Sequence, residues 1–458
     1  MNMEKKYFGT DGIRGKVGVH PITPQFIMHL GWAFGRTLQD REYKKVLIGK
    51  DTRLSGYMLE SALEAGLVAA GVDVVQLGPM PTPGISFLTK TLPVAGGIVI
   101  SASHNPYHDN GIKFFNEKGF KLGDPIELAI EAELQRDLMT VENEKVGRAE
   151  RLAKAPNLYA DYCYQLFYNK VKLSGLHCVI DCAHGAMYHI APKLFERFGA
   201  KVTVIGCKPN GLNINESSGS LYPENLVQKV QATQANIGIA FDGDGDRVLL
   251  IDEKGEILDG DEILYIIARA KLATGTLQGG VVGTLMTNFG VERAFKDLKI
   301  PFVRSAVGDR YVLDELLTKN WQLGGETSGH LIDLSKTTTG DGMVAALLVI
   351  EEMVRTQKSL FELKQGLNKY TQTMINVPVP QGKFIVASNQ VQQILKEQER
   401  RLQGFGRIVL RPSGTEPLVR VMVEAEHTDM TQIVAQTIAD VVRACADRMK
   451  HKDSASDL

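Results

Sequence analysis

Short apolar runs and helix-spaced apolar stripes alternate along most of the chain. Residues 46–51 read as a strand, and Ser55 is placed to cap a helix carrying Leu59, Leu63 and Leu67 at i, i+4 spacing. A second strand follows at 72–77, a short helix at 83–91 and a third strand at 95–100. The rhythm restarts with a strand at 178–182, a helix at 190–198 and a strand at 201–205. A helix at 224–233 then leads into a strand at 237–241. It restarts once more after Asp259, with 262–272 helical and 281–285 extended. Helices at 291–298 and 311–317 flank a strand at 302–305.

Three such blocks in series imply an α/β protein with three doubly wound α/β/α domains, related by duplication. The last stretch breaks the rhythm. Residues 375–378 read as extended, 390–402 as helical, 408–410 and 419–424 as extended, and 430–450 as one long helix. That is an α+β pattern. The expected domains are 1–155, 156–256, 257–370 and 371–458, with 453–458 a frayed tail. In doubly wound sheets ligands sit beyond the carboxyl ends of the strands, so the loops at those ends are where chemistry is expected.

Composition narrows the partners. The 458 residues hold 52 Lys+Arg against 53 Asp+Glu, a net charge of −1, and this offers no basic field for nucleic acid or anionic lipid. The longest apolar run, near 343–350, is far short of the ~20 residues a membrane span needs. Residues 1–16 hold Lys5, Lys6, Asp11 and Arg14 and lack the apolar core of a secretory leader. Cys163, Cys178, Cys182, Cys207 and Cys445 are odd in number and scattered, and read as buried free thiols in a reducing compartment. A cytoplasmic protein with neither a nucleic-acid nor a membrane partner is expected. Glycine, 45 of 458 residues, stands above the usual share of about 7% and forecasts loops that approach something closely.

The most informative loop is Phe241-Asp242-Gly243-Asp244-Gly245-Asp246-Arg247, directly after an apolar strand. Its carboxylates at i, i+2 and i+4 repel one another, and a cation among them relieves the repulsion. Oxygen-only ligands favour Mg²⁺ or Ca²⁺ over zinc. A solvated acidic turn is the plainer alternative. An EF-hand loop is excluded, because Arg247 stands at the sixth position where that loop needs glycine, and both flanks are strand-like.

Ser101-Ala102-Ser103-His104-Asn105-Pro106 marks a second turn at a strand's carboxyl end and displays a hydroxyl. A turn serine is unremarkable by itself. Together with a carboxylate metal loop and nearby cations it is the equipment of a phosphoryl-enzyme intermediate. Lys113 supplies such a cation or a proton-transfer group, unless it is simply a surface lysine. A third loop, Gly324-Gly325-Glu326-Thr327-Ser328-Gly329-His330, carries groups suited to sugar hydroxyls. A fourth, Arg411-Pro412-Ser413-Gly414-Thr415-Glu416 with Arg420 nearby, suits a phosphate dianion. One loop in each expected domain points to a site assembled where the domains meet.

These motifs, in this order, resemble the α-D-phosphohexomutase superfamily. The match runs from Phe8-Gly9-Thr10-Asp11-Gly12-Ile13-Arg14-Gly15 to the segment 411–421, nearly the whole chain. The opening motif and the Arg-Pro-Ser-Gly-Thr-Glu-Pro ending look like the glucosamine branch; the alternative is the phosphomannomutase/phosphoglucomutase branch, acting on neutral hexose phosphates. The resemblance implies three α/β domains and a fourth resembling a TATA-box-binding-protein fold. It implies Ser103 as a phosphoserine, and one Mg²⁺ held by Asp242, Asp244, Asp246 and a phosphate oxygen on Ser103. Sugar contacts are implied for Glu326 and Ser328, with Arg247 also binding substrate. A distal phosphate would fall to Arg411, Ser413, Gly414, Thr415 and Arg420.

The reaction so implied interconverts the 6- and 1-phosphates of glucosamine through a hexosamine 1,6-bisphosphate and feeds cell-wall precursor synthesis. Arg14 would offset charge on the transferring group, and Lys113 or His330 would move the proton. The partner is a small phosphosugar, and a homodimer is the assembly considered. Two rivals remain: a metal-dependent phosphatase using the same phosphoserine, and a non-catalytic metabolite-binding protein on the same scaffold.

Overall fold

In the computed structural model, residues 5–379, 381–402, 404–412 and 417–456 are described. They form two compact units, Met1–Thr284 with Pro301–Gln365, and Leu285–Ile300 with Gly366–Leu458.

The first unit contains three sheets. Strands β1 (Ile13–Lys16), β2 (Lys45–Lys50), β3 (Asp73–Pro79), β4 (Gly96–Ile100), β5 (Asp109–Asn116) and β6 (Ala149–Arg151) lie in the order β1-β5-β4-β2-β3-β6. The strands β2, β3, β4 and β6 run parallel, whereas β5 is antiparallel to both β4 and β1. Every residue of β4 is buried, as expected of a strand covered on both faces. The covering helices are α1 (Pro24–Thr37), α2 (Ser55–Ala69), α3 (Thr82–Thr91) and α4 (Asp124–Glu133). Leu59, Leu63 and Leu67 are fully buried on α2, as their spacing predicts. Ser55 does not cap it. It is the first helical residue, Leu54 holds the cap position, and the Ser55 hydroxyl instead accepts from Asn110 Nδ2 at 2.8 Å.

Helix α5 (Ala155–Phe167) precedes the second sheet, which is built from β7 (His177–Asp181), β8 (Lys201–Ile205), β9 (Ile237–Phe241), β10 (Val248–Ile251) and β11 (Ile257–Leu258). Its order is β11-β10-β9-β7-β8, with β7, β8 and β9 parallel and β10 turned back along β9. Helices α6 (Ala191–Arg197) and α7 (Glu224–Thr233) make its crossovers.

In the third block, α8 (Gly260–Ala273) starts with a capping box in which Asp259 and Glu262 satisfy each other's backbone N–H groups. Strand β12 (Val281–Thr284) follows. The chain then carries α9 (Phe289–Asp297), part of the second unit, before returning as β13 (Phe302–Ser305), parallel to β12. Helix α10 (Asp309–Lys319), strands β14 (Leu323–Gly325) and β15 (Leu331–Asp333), and helices α11 (Gly342–Thr356) and α12 (Leu360–Leu363) complete the unit. The sheet order is β13-β12-β14-β15, with β15 antiparallel.

The second unit is α+β. Strands β16 (Thr371–Pro378), β17 (Gly406–Pro412) and β18 (Leu418–Ala425) form an antiparallel sheet ordered β16-β18-β17, accompanied by α13 (Gly382–Val386), α14 (Asn389–Leu402) and α15 (Thr428–Ser456). Valines at 377, 419, 421, 423 and 434 and Ile438 pack its core. The segment bearing α9 is tied into this unit. Phe289 N–H donates to Glu424 at 2.9 Å, and Arg407 reaches the carbonyls of Leu285 and Thr287 at 2.8 and 2.7 Å. The tail expected to fray from 453 continues as helix to Ser456. Four of the five cysteines are buried, as expected, while Cys207 is half-exposed. Among the described residues no helix is long and apolar enough to cross a membrane.

Candidate active site

The antiparallel edge of the first sheet gathers Ser103, Lys113 and Arg14. Ser103 follows β4, Lys113 lies on β5 opposite Val99, and Arg14 lies on β1 opposite Gly111. Ser103 is 1% exposed, with φ at +51°. A side chain in this left-handed region costs on the order of 1–3 kcal/mol and persists only where its surroundings impose it. Here the Ser103 N–H donates to Ser101 Oγ at 2.9 Å, and its carbonyl accepts from Asn215 Nδ2 at 2.9 Å and Arg53 Nη2 at 3.3 Å. The hydroxyl is left to donate across to Asp242 Oδ2 at 2.6 Å.

Asp242, Asp244 and Asp246 leave the end of β9 buried, each offering a carboxylate oxygen within 4.8 Å of the others. Gly243 permits the approach: a β-carbon there would lie 2.5 Å from the Ser103 carbonyl oxygen. Lys113 Nζ donates to Asp244 Oδ2 at 2.8 Å and Asp246 Oδ2 at 3.3 Å, and Thr82 Oγ1 donates to Asp244 Oδ2 at 2.6 Å. Two of the three carboxyls respond oppositely. Burial, then the charges of Asp246 and Asp244, push the Asp242 carboxyl well up. Burial also acts to raise Asp244, but the Lys113 ammonium and the Thr82 hydroxyl outweigh it and hold Asp244 below its usual range.

One lysine does not neutralise the triplet. Asp244 Oδ1 and Asp246 Oδ1 are buried with no hydrogen-bond partner among the described residues. Buried oxygens of one sign without donors fit a hard divalent cation, so the residues present suit Mg²⁺ or Ca²⁺.

A chain of alternating charges runs on toward the third block. Asp11 pairs with Arg14 and Lys121 and lies 3.5 Å from Lys113, while Lys121 reaches Asp309 Oδ2 at 2.5 Å. His330 Nε2 stands 3.6 Å from Asp309 and 3.9 Å from Asp246. The loop bearing His330 joins β14 to β15, and Arg247 and His330 form an isolated bridge. Gly329, at φ +88°, allows the loop to lie on Val248; a β-carbon there would meet the Val248 carbonyl oxygen at 2.2 Å.

A cleft of about 640 Å³ opens over this arrangement, lined among others by Arg14, His104, Arg247, Glu326, Ser328 and His330. Ser328 Oγ and Arg247 Nε are buried with no hydrogen-bond partner among the described residues. Glu326 Oε1 accepts from the Gly308 N–H at 2.9 Å. His104 Nδ1 lies 3.3 Å from Ser103 Oγ. Burial and the guanidiniums of Arg247 and Arg14 push this imidazole down to about 4, so it is neutral at pH 7.

The first unit thus brings together Ser103, Arg14, Lys113, the three aspartates, Arg247, Glu326, Ser328 and His330. In the second unit Arg411 and Arg420 lie directly opposite each other on β17 and β18. Ser413, Gly414 and Thr415 fall outside the described residues. Sequence reasoning missed Thr82, Arg53, Asn215, Asp11, Lys121 and Asp309. Only Asp11 lay inside a quoted motif; the others join the site through long-range folding.

Three mixed sheets, with a buried serine beyond β4 and an acidic triplet beyond β9, define an α/β protein of the doubly wound class whose carboxylates could hold a divalent cation. Residues 5–140, 157–255, 259–370 and 374–441 match, in order, the Phosphoglucomutase/phosphomannomutase alpha/beta/alpha domains I, II and III and the C-terminal domain. The chain is 58% identical over 440 residues to the phosphoglucosamine mutase of Nitrosococcus oceani, covering 96% of this chain and 98% of that one. A crystal structure of a phosphoglucomutase/phosphomannomutase family protein from Burkholderia thailandensis shares the fold with a TM-score of 0.80 at 24% identity, over 95% and 97% of the two chains. So does an Aspergillus fumigatus N-acetylphosphoglucosamine mutase, solved with GlcNAc-6P and magnesium (TM-score 0.66, 17% identity, 97% and 96% covered). The chain belongs to the phosphoglucomutase/phosphomannomutase family and is a mutase, an isomerase of phosphohexoses.

Proposed function

We propose that this enzyme interconverts glucosamine 6-phosphate and glucosamine 1-phosphate through a phosphorylated Ser103. The observation that carries the reading is the 2.6 Å hydrogen bond from Ser103 Oγ to Asp242, which sets a buried hydroxyl at the rim of the three carboxylates. The amino sugar is supported by the 58% identity to a phosphoglucosamine mutase.

Asp242, Asp244 and Asp246 would hold Mg²⁺ together with an oxygen of the Ser103 phosphate. The chemistry supplied by the bound ion is neutralisation of charge on the transferring phosphoryl group. Phospho-Ser103 gives its phosphoryl to O1 of glucosamine 6-phosphate, breaking the serine ester and forming the 1,6-bisphosphate. The O1 proton passes to His330, whose imidazole lies beside Asp246, and the departing Ser103 Oγ takes one up; Lys113, held as an ammonium by its carboxylate neighbours, supplies charge and not a base. The bisphosphate turns over, its 6-phosphoryl returns to Ser103 Oγ, and glucosamine 1-phosphate leaves. Arg14 faces the same cleft and offsets anionic charge. Glu326 and Ser328 take the sugar, and Arg247 adds a positive charge at its edge. Arg411 and Arg420 form a paired guanidinium element suited to phosphate.

Intact-mass analysis with peptide mapping locates the phosphate, and turnover of glucosamine 6-phosphate against glucose 6-phosphate, with and without Mg²⁺, fixes the substrate. A Ser103→Ala enzyme that isomerises at a near-normal rate would end this reading.

A further inference from the structure

We infer that Asn215 and Arg53 are positioning residues, clamping the backbone on either side of His104 so that Ser103 Oγ stays aimed at the three carboxylates. This rests on the reading of Ser103 as the phosphorylated nucleophile. Two carbonyls, those of Ser103 and Asn105, stand on either side of His104 in the turn. Asn215 Nδ2 donates to them at 2.9 and 3.0 Å, and Arg53 Nη2 donates to the same pair at 3.3 and 2.5 Å. Four donor contacts on two carbonyls occupy both lone pairs of each oxygen. They match the requirement set by φ +51° at Ser103, a conformation the local sequence does not favour.

The two clamps come from different blocks of the first unit. Arg53 follows β2, is fully buried, and is itself fixed by Asp51, which pairs with its guanidinium and accepts its backbone N–H at 2.9 Å. Arg53 Nη1 also lies 3.4 Å from Ser101 Oγ, the group that accepts the Ser103 N–H. Asn215 belongs to the segment after β8 and is tied to Ala183 by its own N–H at 2.8 Å. Its amide nitrogen would lie 2.9 Å from a β-carbon added at Gly243, so it sits where the serine turn and the carboxylate loop meet. Both neighbours of Nδ2 are carbonyl oxygens, which fixes the amide orientation. One side chain from the second block therefore holds the serine turn where it borders the carboxylate loop.

Positioning and packing predict different orders for substitutions. Asn215→Asp keeps shape and volume but sets an acceptor against two carbonyl oxygens; Asn215→Ala removes the group and leaves the oxygens with Arg53 as their one side-chain donor. If Asn215 positions the turn, kcat falls in the order wild type, Ala, Asp, by roughly 10- to 100-fold at the extreme, with KM for glucosamine 6-phosphate within about twofold. If it only packs, Asp is the milder change. Ser phosphate occupancy, read by intact mass, falls alongside kcat in the positioning case. Wild-type kcat in both variants, an unchanged kcat with raised KM, or Asp outperforming Ala overturns the inference. Should Asn215→Asp not fold, Asn215→Ser, with one donor for two carbonyls, must give a kcat between wild type and Ala; Ser no better than Ala likewise overturns it. Ser103→Ala run in parallel separates the two ideas: activity there removes the phosphoserine reading itself, whereas its loss beside a fully active Asn215→Ala removes only the clamp.

Discussion

Lys113 Nζ lies 2.8 Å from Asp244 Oδ2, the same oxygen that accepts the Thr82 hydroxyl. A single buried ammonium thus faces Asp244 and Asp246 directly, with Asp11 at 3.5 Å. Burial acts to lower the Lys113 amine, but those three carboxylates outweigh it and keep the group charged.

Replacing that lysine by a chain of similar length without charge tests the arrangement. Lys113→Met leaves buried anions unanswered and lowers stability in the presence of a chelator by about 3–5 kcal/mol, read by urea unfolding. Added Mg²⁺ recovers a larger share of stability in the variant than in wild type. Equal recovery in both proteins counts against the lysine as the balancing charge.

Removing the cation separates folding from chemistry. Exhaustive chelation abolishes isomerisation while far-ultraviolet circular dichroism stays unchanged, and Mg²⁺ restores turnover. Asp246→Asn raises the Mg²⁺ concentration needed for half-maximal rate by on the order of tenfold or more, because one of three charged ligands is lost.

Glu326 bears on the choice of sugar. Its carboxylate lines the cleft with one oxygen held by the Gly308 N–H. Glu326→Gln raises KM for glucosamine 6-phosphate by roughly tenfold, worth about 1.4 kcal/mol, and changes glucose 6-phosphate kinetics less. An equal effect on both sugars removes the carboxylate from amine recognition.

Asp341 sets a pH dependence away from the carboxylate loop. Its side chain caps α11 through the Val344 N–H at 3.0 Å and accepts from Tyr159 OH at 2.9 Å. Burial first, with a smaller push from Asp246, raises its carboxyl from 3.8 to about 6, against those hydrogen bonds. The native state binds this proton more tightly than the unfolded chain does. The associated stability is therefore complete below about pH 4 and is lost as pH rises through 6, a loss of up to roughly 3 kcal/mol. Asp341→Asn keeps a good cap and cannot titrate. Its melting temperature falls less than wild type between pH 5 and pH 7.5; parallel curves refute the assignment.

Short strands rich in β-branched and aromatic residues were legible in the sequence: residues 201–205, 237–241 and 302–305 are strands with the bounds read from the pattern. Strand β5 was not. Its Asn110-Gly111 start is a turn signature, and only pairing on both sides, with β4 and β1, makes it a strand. That pairing is what delivers Lys113. The serine turn and the three aspartates were readable because each is a local cluster of one chemistry. Arg53 and Asn215, 50 and 112 residues from Ser103, carry no local signal, since a donor to a distant carbonyl leaves no mark on its neighbours.

The helix between β12 and β13 has a double allegiance. Parallel neighbours need a crossover, so residues 285–300 are indispensable to the third sheet. Yet this helix's hydrogen-bonding companions, Glu424 among them, lie in the C-terminal portion. The tail is accordingly not a detachable appendage. A chain stopped at Gln365 would retain the loop while stripping it of its companions, and natural or engineered shortening here should yield a sticky, poorly expressed protein rather than a trimmed enzyme.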